Sequence, residues 1–202
     1  MKIFCIGRNY VDHAKELNNP VPKKPLVFMK PITALLKDNR PFFHPDFSED
    51  IHYEVELVIK MCRHAKHIAA KFAHKYYNEL AIGIDFTARD VQAQLKEKGH
   101  PWEIAKGFDH SAPISQFQSI KEFDVGNINF GLQKNGEAVQ IGNSKNLIFS
   151  FNELIAHISK YITLQKGDYI FTGTPAGVGP VKIGDKLEAY IENKLQLSCE
   201  VR

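Results

Sequence analysis

Apolar and polar residues alternate most cleanly over residues 52–60. There Tyr53, Val55, Leu57 and Ile59 fall on one face and His52, Glu54, Glu56 and Val58 on the other, which is the period of a strand. Residues 2–6, ending at Gly7, and residues 26–29 and 80–86 are apolar runs of strand length. Residues 10–17 predict a short helix stopped by Asn18-Asn19-Pro20. Residues 68–77 predict another, and residues 88–98 a third that ends at Gly99 and Pro101. Residues 128–133 and 137–141 flank Asn135-Gly136, a pair suited to a type I′ turn, and so predict a hairpin. Ser150-Phe-Asn-Glu153 reads as a capping box opening a helix to Lys160, and residues 168–172, 186–191 and 196–201 read as closing strands. Strands outnumber helices and the helices are short. The expected fold class is therefore α+β, mainly β and mixed, rather than a doubly wound sheet.

The length of 202 residues favours a single domain, and 44% hydrophobic with 24% charged residues is the balance of a globular chain with a real core. The net charge of +3 is small and the lysines are scattered, so no nucleic-acid partner is expected. The apolar runs are too short to cross a bilayer and the N-terminal residues lack a cleavable apolar region, so neither a membrane nor export is expected. The three cysteines, Cys5, Cys62 and Cys199, form no C-x-x-C and are odd in number, which supports neither a disulfide framework nor a zinc knuckle. A reducing cytoplasm is the expected location.

Glu54 and Glu56 stand two apart in a predicted strand and leave the same face, although paired glutamates on a strand are usually just solvated surface. Asp85 lies in Leu80-Ala-Ile-Gly-Ile-Asp-Phe86, where an ionised carboxylate is costly unless paired, metal-bound or used to cap the helix that follows. Together the three could form a hard oxygen site for Mg²⁺ with positions open to substrate and water. His13 and Glu16 share a helix face, the spacing of an oriented general base and equally of a surface pair. Lys106, among apolar neighbours, is a candidate charge stabiliser or a snorkelling side chain. Arg8 follows a strand end, Arg89 and Gln92 share a helix face, and the glycine-rich turn Thr172-Gly-Thr-Pro-Ala-Gly-Val-Gly179 offers backbone amides to a carboxylate without being a P-loop.

The ordered set Gly7-Arg-Asn-Tyr-Val-Asp-His-Ala-Lys-Glu16, Lys30-Pro31, Glu54-Val-Glu56, Asp85-Phe-Thr-Ala-Arg-Asp-Val-Gln92, Pro101-Trp102, Ala105-Lys106, Asn135-Gly-Glu137 and the turn at 172–179 resembles the fumarylacetoacetate hydrolase family. The resemblance is closest to the single-domain acylpyruvases and oxaloacetate decarboxylases. It implies a mixed β-sandwich roll and a single catalytic domain over residues 1–202, with residues 8–24 as a candidate active-site lid. The segment Asn18-Asn-Pro-Val-Pro22 suits its hinge. It further implies Mg²⁺ or Mn²⁺ on Glu54, Glu56 and Asp85, a catalytic dyad of His13 and Glu16, and Lys106 as the active-site lysine. Arg89, Gln92 and Thr174, with Arg8, would line the substrate pocket, and the usual assembly would be a homodimer. The sequence departs from the family pattern at Ile32, at Ala138-Val139-Gln140 and at Ser144-Lys145, positions that bear on the outer pocket or an interface.

The leading expectation is metal-dependent carbon–carbon bond cleavage in a small 2-oxo acid: acylpyruvate hydrolysis, oxaloacetate decarboxylation or both, through a pyruvate enolate held on the metal. The alternatives are an isomerase or tautomerase of 2-oxo or 2-hydroxydienoic acids and, from another class, a non-catalytic metal-binding module. The His–Glu pair argues against the module, which has no need of a base.

Overall fold

The computed structural model describes residues 1–17 and 20–202; the expected hinge residues Asn18 and Asn19 lie outside the described residues. A six-stranded sheet runs in the order Leu26–Lys30, Ile3–Gly7, Tyr169–Phe171, Val55–Met61, Tyr77–Ile84, Gln118–Ser119. All neighbours are antiparallel except Ile3–Gly7 with Tyr169–Phe171. A four-stranded antiparallel sheet runs Glu137–Asn143, Asn129–Lys134, Lys186–Ile191, Lys194–Glu200. Between the two lies one large core, and the helix Phe151–Tyr161 contributes Phe151, Leu154, Ile155 and Ile158 to it. Burying side chains of this kind is worth about 1.5–3 kcal/mol each, and this is the main force holding the sheets together. In the six-stranded sheet both faces are covered. Phe4, Ile6, Leu57 and Ile59 enter the main core, while Ile3, Cys5, Val58 and Phe171 enter a second, smaller one. That explains why these strands read as continuous apolar runs. The four-stranded sheet is covered on one face only, so Phe130 and Leu132 are buried while Ile141 stands in solvent.

Several boundaries differ from expectation, each for a local reason. The strand expected over residues 52–60 divides at Glu54. Ile51–Tyr53 pairs in a small three-stranded sheet with Thr87–Ala88 and Gly179–Pro180, and Val55–Met61 enters the six-stranded sheet. The Val55 N–H donates to Gln140 Oε1 at 2.8 Å, so a side chain takes a bond that a continuous ladder would have used. The helix expected over residues 68–77 is one turn, Ala70–Ala73, because Tyr77 is drawn into pairing with Met61. Asp85 sits just beyond the strand Tyr77–Ile84 and caps nothing: the helix Arg89–Glu97 starts after Ala88 without a side-chain cap. The Asn-Gly hairpin forms as expected, with φ of +55° at Asn135 and +86° at Gly136. The capping box at Ser150 and Glu153 has both reciprocal bonds. Among the described residues no helix is long and apolar enough to cross a membrane.

Candidate active site

Register brings the three carboxylates together. Val55 pairs with Ile84 and Glu56 with Gly83, and the ladder is extended by the Asp85 N–H donating to the Glu54 carbonyl at 2.8 Å. Glu54 and Asp85 are thus cross-strand neighbours, and Glu56 lies two residues along on the same face. Opposite Glu56 the position must be glycine: a Cβ on Gly83 would come within 2.6 Å of the Phe171 ring. One oxygen from each of Glu54, Glu56 and Asp85 lies within 4.8 Å of the others, and all three residues are buried.

Cations surround this group unevenly. Lys106 Nζ, at the end of the short helix Glu103–Lys106, donates to Glu54 Oε2 at 2.8 Å and to Asp85 Oδ2 at 2.7 Å. Arg89 Nη2 donates to Glu54 Oε1 at 2.6 Å, and Lys30 Nζ pairs with Asp85 Oδ1 at 2.8 Å. Lys30 is buried at the end of its strand, and its ammonium also lies within hydrogen-bonding reach of Ser111 Oγ and of the Ser111, Phe86 and Lys106 carbonyls, which share its three N–H donors. Glu56 receives only the Gly173 N–H, at 2.6 Å, and no cation among the described residues. The electrostatic result divides the trio. Burial alone would push Glu54 up, but Lys106, Arg89 and His13 reverse this and hold it well below the usual carboxylate range. Burial, then the neighbouring Asp85 and Glu54, push Glu56 far above it. Burial would strip the proton from Lys106, but Asp85 and Glu54 outweigh it and raise its pKa. A buried carboxylate beside two others, with a single N–H, fits a site completed by a further cation. An all-carboxylate donor set suits Mg²⁺ or Mn²⁺ rather than a soft metal.

The roof is the helix Val11–Glu16. His13 is buried, with Nδ1 3.3 Å from Glu16 Oε2, and Glu16 Oε1 accepts the Gly177 N–H at 3.0 Å. Burial lowers the His13 pKa, with Glu54 and Glu16 opposing it only in part, so the ring is neutral near pH 7. Asn9 fixes the start of this helix: its amide donates to the Thr172 and Phe149 carbonyls and its Oδ1 accepts the Phe149 N–H. A Cβ at Gly173, where φ is +106°, would lie 2.6 Å from Asn9 Cβ, so this turn too requires glycine. The glycine-rich turn does hold carboxylates, as its sequence suggests, but they are the protein's own Glu56 and Glu16.

The structure brings the sequence-derived residues to one small cavity of about 30 Å³, lined by Arg8, His13, Glu54, Glu56, Asp85, Arg89, Gln92, Lys106 and Thr174. Arg89 Nη1 donates to Gln92 Oε1 at 2.9 Å, and Thr174 Oγ1 accepts from Gln140 Nε2 at 2.9 Å. Glu16 stands behind His13 rather than in the lining. Sequence reasoning gave no role to Lys30, Gln140, Lys96 or Trp102. The signals available for Lys30 were its place at the end of an apolar strand and the Lys30-Pro31 pair of the family resemblance; Lys96 lies on a helix with an ordinary surface pattern.

Two packed β-sheets, with a carboxylate-walled cavity under a His–Glu roof on the six-stranded sheet's face away from the main core, define a mainly β fold of the fumarylacetoacetate hydrolase type. The profile of the fumarylacetoacetate (FAA) hydrolase C-terminal domain matches residues 2–202, and the chain belongs to that family. It is 40% identical over 200 residues to the mitochondrial oxaloacetate tautomerase FAHD1 of Homo sapiens, covering 98% of this chain and 90% of the relative. The crystal structure of fumarylpyruvate hydrolase from Pseudomonas aeruginosa in complex with Mn²⁺ and pyruvate superposes with a TM-score of 0.95 at 34% identity, covering 100% of this chain and 89% of that one. The 2-hydroxyhepta-2,4-diene-1,7-dioate isomerase from Mycobacterium marinum superposes with a TM-score of 0.86 at 33% identity, over 99% and 73%. The family's named members therefore include a tautomerase, a hydrolase and an isomerase.

Proposed function

We propose that this chain is a divalent-cation-dependent enzyme that breaks a carbon–carbon bond in small 2-oxo acids, hydrolysing acylpyruvates to pyruvate and a carboxylic acid, decarboxylating oxaloacetate, or both. The observation that carries this reading is the convergence of buried Glu54, Glu56 and Asp85 within 4.8 Å in the cavity that also receives His13. Those three carboxylates would hold Mg²⁺ or Mn²⁺, and the bound cation would supply a Lewis acid to the 2-oxo acid. The solved relative bearing Mn²⁺ and pyruvate supports both the metal and the product class.

The protein's own groups account for the remaining steps. With Nδ1–H donated to Glu16, the neutral His13 ring presents Nε2 as an acceptor. Nε2 takes a proton from water, the hydroxide attacks the distal carbonyl, and the C–C bond breaks with its electron pair passing to the pyruvate fragment as an enolate. The Lys106 ammonium, already set between two carboxylates, stabilises that negative charge, and the proton held on His13 returns to the enolate carbon. Arg89, Gln92, Thr174 and Arg8 orient the substrate. A cavity of about 30 Å³ holds a water molecule or two and no 2-oxo acid, so residues 8–24 serve as a lid that must open for entry.

A second reading, oxaloacetate enol–keto tautomerisation, is favoured by the 40% identity to the tautomerase and needs only the proton transfer on the same base. We further assign a homodimer. Its support is an apolar groove of about 880 Å³ bordered by Met29, Phe47, Val91, Ile104 and Phe108, with Ile104 65% exposed; sedimentation of wild type and Ile104→Lys would test it. The decisive functional assay follows pyruvate formation from acetylpyruvate and from oxaloacetate, and loss of the oxaloacetate enol, with and without Mg²⁺. Cation-dependent pyruvate release is the expected result; enol loss without pyruvate would transfer the assignment to the tautomerase, and no cation-dependent reaction would overturn both.

A further inference from the structure

Gln140 lies on the strand Glu137–Asn143 of the four-stranded sheet, is 1% exposed, and sends its amide between two backbones that carry polar groups of the cavity. The strand Tyr169–Phe171 pairs Phe171 with Val58, and one further rung follows, from the Thr172 N–H to the Leu57 carbonyl at 3.1 Å. The chain then leaves the ladder at Gly173, where φ is +106°. The Gln140 amide takes the place of the missing rungs. Its Oε1 accepts the Val55 N–H at 2.8 Å, and its Nε2 donates to Thr174 Oγ1 and to the Pro175 carbonyl, each at 2.9 Å.

These partners dictate which way the amide faces. The Val55 N–H only donates and the Pro175 carbonyl only accepts, so turning the amide over would set donor against donor and acceptor against acceptor. Nε2 therefore faces Thr174, whose oxygen must accept, and the hydroxyl proton of Thr174 is left for another partner. Thr174 is buried and lines the cavity, and among the described residues its Oγ1 makes no second hydrogen bond. We infer that Gln140 is a positioning residue of this site: by occupying a lone pair of the Thr174 hydroxyl, it reserves the proton of that hydroxyl for an anionic oxygen of the ligand. The inference rests on the cavity being a 2-oxo acid site, and it fixes the sense of the hydrogen bond that Thr174 makes there. A donor held ready before the anion arrives needs no reorganisation when it binds. A glutamate of the same shape would keep the bond from Val55 but take the Thr174 proton for itself.

That contrast supplies the test. Calorimetry at saturating Mn²⁺ measures pyruvate affinity in wild type, Gln140→Glu, Thr174→Val and the double variant, with Mn²⁺ affinity measured in parallel. Each single substitution should weaken pyruvate binding by roughly 10- to 100-fold, the range for a hydrogen bond to a charged group. The double variant should bind within about twofold of Thr174→Val, because the two residues act through one hydrogen bond. Mn²⁺ affinity should not fall in Gln140→Glu, since Val55 keeps its partner. Gln140→Met, which brings no charge, should also weaken pyruvate binding, again only while Thr174 is present, and it serves in place of a glutamate variant that does not fold. Unchanged pyruvate affinity in the Gln140 variants, or a loss that adds to that of Thr174→Val, would overturn the inference. So would a fall in the Mn²⁺ affinity of Gln140→Glu matching its loss of pyruvate, which would make Gln140 a support of the carboxylate strand. The expected pattern in a protein that turns over no 2-oxo acid would refute the catalytic reading and leave the role of Gln140 standing.

Discussion

Glu54, Glu56 and Asp85 hang from two paired strands in the middle of the molecule, whereas His13 and Glu16 ride on a six-residue helix at its surface. The acidic wall is locked by the ladder, by Lys30, Lys106 and Arg89, and by the main core packed against the opposite face of its strands. The roof is pinned firmly at one end by Asn9 and buried Tyr10 and Ala14, and at the other by Glu16 on the Gly177 N–H. Glu16 therefore both orients His13 and latches the roof, through an exposed hydrogen bond worth about 1 kcal/mol. On the proposed reading, cation binding falls to the wall and the proton chemistry to the roof.

The division is sharpened most by Asp85→Ala. It should abolish activity and, by leaving Lys30 and Lys106 buried without their shared counter-ion, cost about 3–5 kcal/mol of stability in urea melts. A variant with unchanged stability would mean that the wall is not held by these ion pairs. His13→Ala should spare stability and cut acylpyruvate hydrolysis by about 10²–10⁴-fold, while oxaloacetate decarboxylation, which needs no attacking water, falls at least tenfold less. Parallel assays that fall by one common factor would reduce His13 to a closure residue. Lys106→Met should lower kcat by about 10²-fold, with a smaller effect on KM, because the charge it meets develops in the transition state. Cation affinity should hold or rise, since the carboxylates lose a competing partner.

The smallest effect concerns pH. The folded His13 pKa lies below 6.5, so the unfolded chain binds more protons between the two values and stability declines as pH falls through that window. Hydrolysis should show an acid limb below 6.5, as the base protonates, that His13→Ala lacks. An acid limb retained in His13→Ala would assign it to another group.

Much of the wall was legible in the sequence because strand alternation states which side chains share a face, and Glu54 with Glu56 obeys it even though the strand divides at Glu54. The division itself was hidden: it depends on Gln140, more than eighty residues away, reaching the Val55 N–H. The helix at residues 70–73 is shorter than its sequence suggests because local propensity favours continuation, while the pairing of Tyr77 with Met61 is non-local. Lys96 was invisible for a related reason. A surface lysine and one turned to a cavity mouth have the same helical spacing, and only the fold places Arg8 and Trp102 beside it.

Glu56 is the place to test whether the trio holds a divalent cation on which turnover depends. This residue has no cation partner among the described residues, so Glu56→Gln removes a ligand charge without stranding a lysine. Mn²⁺ titrated calorimetrically into chelator-treated wild type and Glu56→Gln, with pyruvate release from oxaloacetate followed on the same samples, gives a direct answer. The expected result is one cation per wild-type chain, turnover that rises in step with its binding, and a folded variant that has lost both. Full turnover in the presence of chelator, or wild-type Mn²⁺ affinity in Glu56→Gln, would contradict it.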